Sequence, residues 1–164
     1  MHVRIEHKPA FYIVGFSKRI HKMDRENFIE IPTFWETSLK SSKIAPLTAS
    51  IGKKTPEGFP QGVHGIMNYK YLGDSSFPYL IGAFSTDLVD GYENVYVQAN
   101  RWAIFTTSRY QPSDAKKAIE PVWHHIYDEW FNTTDYDHAG GAELEVYLCH
   151  EDGTQSCEVW IPVV

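Results

Sequence analysis

Polar and apolar residues alternate along the start of "HVRIEHK", and "FYIVGFS" is a short, mostly apolar run; together they predict two strands broken at Lys8-Pro9. A helix is expected over "PTFWETSLKSS", with Pro32 in its first turn and Trp35 and Leu39, four apart, facing inward together. The Gly- and Pro-rich stretch "SIGKKTPEGFPQG" reads as a loop. Strands follow at "VHGIMNYKYLG" and "YLIGAFSTDL", then a turn at "DGYEN", then strands at "VYVQAN" and "RWAIFTTS". Beyond Ser113-Asp114, Ile119, Val122, Trp123, Ile126 and Trp130 fall on one helical stripe, with a kink or a short first segment expected at Pro121. The chain closes on a hairpin, "AELEVYLCH" and "SCEVWIPVV", joined through Asp152-Gly153.

This order repeats itself. "PAFYIVGFS" corresponds to "ANRWAIFTTS", "IPTFWE" to "IEPVWH", and "NYKYLGD" to "ELEVYLCHED". The expected fold is α+β: duplicated strand-helix-strand-strand units, antiparallel sheets, two main helices and a central ligand pocket on the pseudo-symmetry axis. The chain reads as one domain over residues 1–164, with halves of approximately 1–90 and 91–164. The duplication sets Glu145 opposite Tyr69 and Tyr147 opposite Tyr71.

In the closing hairpin, Glu143, Glu145 and Tyr147 alternate with Ala142, Leu144, Val146 and Leu148. On the last strand Glu158, Trp160 and Pro162 share one face, while Val159, Ile161 and Val163 share the other. The apolar face is expected to meet the helices, leaving Glu143, Glu145, Tyr147 and Trp160 toward water or a cleft. Two readings stand. Glutamates on half-buried antiparallel strands commonly face solvent. Aromatic rings beside a carboxylate also make a cage for a lipophilic cation.

Composition narrows the classes. The chain has 164 residues, a net charge of −6 and an aromatic share of 15%. Lys and Arg are scattered, so no direct DNA binding is expected. Cys149 and Cys157 provide no disulfide framework, although they could face each other across the hairpin. No signal peptide or membrane-length apolar run is seen, which suits a cytoplasmic protein and no membrane partner. The eight histidines follow no ligand spacing, and no nucleophile elbow or phosphate loop occurs. Neither a metal nor a cofactor is expected.

"RWAIFTTS", "PVWHHIYDEWFNTTDYD", "AELEVYL" and "EVWIPV" together resemble the GyrI-like effector-binding domain of AraC-type and multidrug-responsive regulators, with "FYIVGFSKRI" and "IPTFWE" adding to the match. The turn "DYD" lacks the glycine of the family pattern. The resemblance implies a ligand pocket of aromatics around Glu145, with Tyr147 and Trp160 beside it. It adds Phe34 or Trp35 from the first helix and Phe105 from the strand near Trp102, and it places Glu143 on the rim. With Tyr69 and Tyr71 from the duplication, these residues form the expected site. The implied function is binding of lipophilic or aromatic cationic, drug-like molecules by a free-standing member, since strand pattern begins at His2 with no helix-turn-helix before it. Two alternatives remain. One is hydrolysis of reactive cyclopropane-containing compounds, with Glu145 activating water; the other is a protein-interaction module of the gyrase-modulator kind.

Overall fold

Only Pro9 and Ala10 join β1 (His2–Lys8) to β2 (Phe11–His21) in the computed structural model, which describes residues 1–22 and 27–164. A two-residue hairpin needs positive φ in its turn, and proline is held near −65°. Neither linking residue takes positive φ, so β1 does not fold back on β2. The link between β5 (Glu93–Val97) and β6 (Asn100–Thr106), Gln98-Ala99, lacks glycine and positive φ in the same way. The first strands of the two repeats are therefore exchanged: β1 pairs with β6, and β5 pairs with β2, all antiparallel. The compact units are Met1–Pro9 with Ala99–Val164, and Ala10–Gln98, rather than two consecutive halves.

In the first of these, the carboxy-terminal unit, the strand order is β1-β6-β8-β7, with β7 at Glu143–Cys149 and β8 at Gln155–Val163. One face packs on α3 (Ala115–His124) and the turn that continues it, where Ile119, Val122 and Ile126 meet Ala103, Phe105, Val159 and Ile161. The inward stripe read from sequence is thus present. Helix α3 runs through Pro121 without a break and widens afterwards into a π-helical turn, His125–Trp130. Cys149 stands beside Gln155 and Tyr147 beside Cys157, so the cysteines do not face each other. Both are free thiols, the first exposed and the second buried.

The amino-terminal unit has the order β3-β4-β2-β5, with β3 at His64–Met67 and β4 at Ser76–Ser85. Its helices are α1 (Asn27–Lys40) and α2 (Ile44–Ile51). The latter was not anticipated, although Ile44, Leu47 and Ile51 carry helical spacing. Leu39 is 63% exposed, contrary to expectation, because the inward stripe of α1 passes through Phe34 and Ser38. Strand β3 is also shorter than expected. Asn68 turns the chain through φ +60°, so Tyr69 and Tyr71 leave the strand.

Candidate functional site

The β7–β8 register decides which predicted residues meet. Odd positions pair with odd, Glu145 with Val159 and Tyr147 with Cys157; even positions pair with even, Leu144 with Trp160 and Val146 with Glu158. Directly opposed residues share a face. Glu145 and Tyr147 therefore lie with Val159 on the side that packs on α3, while Trp160 lies with Glu158 on the other side. The expectation that Glu145, Tyr147 and Trp160 share one face fails on this parity.

On the helix side, the Trp123 indole donates from Nε1 to Glu145 Oε1 at 2.7 Å, and the Tyr147 hydroxyl donates to Oε2. Among the described residues no cation pairs with Glu145. Its residue retains some solvent-accessible surface, yet surrounding atoms desolvate the carboxyl and raise its pKa above the ordinary 4.5, against the lowering by Tyr147 and Trp123. Two residues along, buried Glu143 accepts the Tyr127 hydroxyl and lies 2.8 Å from His138 Nε2, so it is not on a rim. His138 Nδ1 accepts the Gly140 N–H at 2.8 Å, which leaves Nε2 as the donor to Glu143. Two strand residues advance about 6.8 Å and four helix residues about 6 Å, so Trp123 and Tyr127 come into step with Glu145 and Glu143. Their rings stack with centroids 6.3 Å apart. Nearby, the buried Tyr110 hydroxyl has no hydrogen-bond partner among the described residues, and burial first, then the charges of Cys157 and Glu145, raise its pKa.

The opposite face holds a second acid among aromatics. Trp160 Nε1 donates to Glu158 Oε2 at 2.8 Å, and Arg4 Nη2 donates to Glu158 Oε1 at 2.8 Å. Trp102 packs against Trp160 with centroids 5.9 Å apart, and both rings are buried. Lys8 Nζ lies 4.9 Å from the Trp160 ring centroid and 2.8 Å from Glu6 Oε2. Sequence pattern had put Glu158 beside Trp160 but had not singled it out, and Trp123, Arg4 and Lys8 were missed. Trp123 had only its place on the stripe as a signal.

The remaining candidates are dispersed. Phe105 is buried under α3, edge-on to Trp130 at 5.1 Å. In the amino-terminal unit, Phe34 is core and Trp35 donates from Nε1 to the Tyr79 hydroxyl at 2.8 Å. The Tyr69 hydroxyl donates to Glu93 at 3.2 Å, whereas Tyr71 is 87% exposed. Phe16 faces Ile81 and Ile81 faces Gly65, as Phe105 faces Val159 and Val159 faces Glu145. The repeat counterpart of Glu145 is therefore Gly65, not Tyr69. A Cβ on Gly65 would stand 2.0 Å from the Tyr79 hydroxyl, so glycine makes room for the oxygen that receives Trp35. A groove of about 520 Å³, lined by His2, Thr106, Arg109 and Val122 among others, contains neither carboxylate.

The Cass2 family model, integron-associated effector binding protein, matches residues 4–163. The chain belongs to this family. A bacterial transcription regulation protein from Staphylococcus aureus MU50 is 19% identical over 99% of this chain and 98% of its own, with a TM-score of 0.73. SAV2435, in a structure bound to tetraphenylphosphonium, is 18% identical over 100% and 94%, with a TM-score of 0.77. A Vibrio cholerae integron cassette protein is 17% identical over 99% and 95%, with a TM-score of 0.57. At these identities the likeness shows the fold, and the GyrI-like expectation agrees with it. No curated protein matches the chain in sequence. Among the described residues of this Cass2 member, no helix is long and apolar enough to cross a membrane, and no metal-ligand cluster forms.

Proposed function

We propose that this Cass2 member is a cytoplasmic binding protein for lipophilic aromatic cations, with Glu145 as their counter-charge and Trp123 and Tyr147 fixing its two oxygens. One observation carries the reading: a desolvated carboxylate is held by two neutral donors and by no cation among the described residues. Burying a charge without a counter-charge is costly, and an arriving cation offsets that cost. Family membership supports a small-molecule effector, and the tetraphenylphosphonium in SAV2435 supports an aromatic cation.

The test is a titration of tetraphenylphosphonium followed by tryptophan fluorescence, with neutral triphenylphosphine oxide as the control. Glu145→Gln keeps an acceptor for Trp123 and removes the charge. It should weaken phosphonium binding about tenfold to a hundredfold and leave the neutral compound unchanged. Equal phosphonium binding by wild type and Glu145→Gln would sink the reading.

A further inference from the structure

Tyr110 stands where the chain leaving β6 crosses the end of β8. Its N–H donates to the Gln155 carbonyl at 2.8 Å, and its carbonyl accepts the Gln155 N–H at 2.9 Å. The backbone is pinned there, so movement at this point belongs to the side chain. The residue is 8% exposed and sits in the cluster under α3 with Ile119, Tyr147 and Cys157. Its hydroxyl is buried without a hydrogen-bond partner among the described residues, within reach of the charges of Cys157 and Glu145. Its outer side lines a groove of about 450 Å³ with Arg109, Gln111, Lys117, Ala118 and Thr154. The groove of about 520 Å³ described above shares Arg109 and Ala118 with it. Tyr110 thus stands between solvent on one side and Cys157 and Glu145 on the other.

We infer that the Tyr110 side chain is a gate: it swings out into this groove and opens a passage from solvent to Cys157 and the Glu145 site behind it. A phenol hydroxyl left unbonded in the interior is costly, and rotation into the groove returns it to water. The closed state keeps the burial of the ring but forgoes a hydrogen bond, which narrows its advantage over the open one. On the α3 side of the groove Ala118 presents only a methyl group, so the ring has room to turn. A rotation about the side-chain bonds leaves the two Gln155 bonds intact and needs no unfolding of α3 or β8. That the passage admits aromatic cations rests on the role proposed for Glu145; that it opens does not.

The test labels the buried thiol of Cys157 with N-ethylmaleimide, read by mass spectrometry in urea below the unfolding transition. A Cys149→Ser parent removes the exposed thiol. Local opening exposes little surface, so the parent's labelling rate should barely respond to urea. Tyr110→Phe keeps the ring and removes the unbonded hydroxyl, and it should label about threefold to tenfold more slowly. Tyr110→Ala removes the gate and should label about tenfold faster, again with little response to urea. Labelling of Tyr110→Phe that is unchanged or faster overturns the inference. So does parent labelling that follows global unfolding throughout. Should Tyr110→Ala fail to fold, Tyr110→Phe decides alone. Stopped-flow association of tetraphenylphosphonium then tests the passage, with a faster rate expected in Tyr110→Ala and a slower one in Tyr110→Phe. One association rate in parent and variants overturns the passage. If phosphonium does not bind at all, the role of Glu145 fails and the thiol result decides the gate.

Discussion

Glu145 and Glu158 lie on neighbouring strands of one sheet, and each accepts a tryptophan N–H, at 2.7 and 2.8 Å respectively. Behind that shared contact their surroundings diverge. Glu158 also receives Arg4, whereas among the described residues Glu145 receives only the hydroxyl of Tyr147 besides Trp123. An indole or phenol can orient a carboxylate, but it carries no charge to balance it. Counter-charge, not hydrogen bonding, separates the acid that completes the fold from the acid we propose for a ligand.

Removing each charge should break the comparison in opposite directions. The largest effect on stability is expected for Glu158→Gln, which leaves Arg4 facing a neutral amide. With Arg4 about one-third exposed, solvent screening limits the loss to about 1–2 kcal/mol, or roughly 2–8 °C in Tm by calorimetry. Glu145→Gln should act the other way without ligand, raising stability by up to about 1 kcal/mol because a desolvated charge disappears. If both variants lose stability equally, the two acids are equivalent and the distinction fails.

Acid titration sharpens the same contrast. The Glu145 pKa is raised, so the folded state holds its proton more tightly than the unfolded chain does. As pH falls from neutral through that raised value toward the ordinary 4.5, Glu145 adds stability, and aromatic-cation affinity declines with the lost charge. Hydrogen bonds from Lys8 and then Arg4 lower the Glu6 pKa on the opposite face. Its contribution is present above the ordinary value and lost as pH falls through the lowered one. Denaturation curves across pH should lose the Glu145 component in Glu145→Gln and keep the Glu6 component. A smaller effect on binding than that of Glu145→Gln belongs to Trp123→Phe, which removes one donor from the ionised acid. It should push the Glu145 titration higher still and cost about 0.5–1.5 kcal/mol in aromatic-cation binding near neutral pH.

The repeat shows how much of this was legible along the chain. Trp35 and Trp123 occupy matching places in "IPTFWE" and "IEPVWH", and both indoles donate at 2.7–2.8 Å to a group on the sheet. The acceptors differ, a Tyr79 hydroxyl from β4 in one unit and a Glu145 carboxylate from β7 in the other. Gly65 stands where Glu145 would be and clears space for Tyr79. Pairing Glu145 with Tyr69 by similarity of "NYKYLGD" and "ELEVYLCHED" missed this, because Asn68 turns the chain out of β3 before Tyr69 is reached.

Local periodicity by itself determined the strands of the closing hairpin, the inward stripe of α3 and the separation of Glu158 and Trp160 from Val159 and Ile161. Each depends on neighbours within one element, where side-chain direction follows from residue spacing. Tertiary structure alone decided the exchange of β1 and β5 and the odd-with-odd register of β7 and β8. One residue of slip would turn every side chain of β7 to the other face. That register put Glu145 under Trp123 with no counter-charge among the described residues, and the exchange brought Arg4 and Lys8 to Glu158 and Trp160.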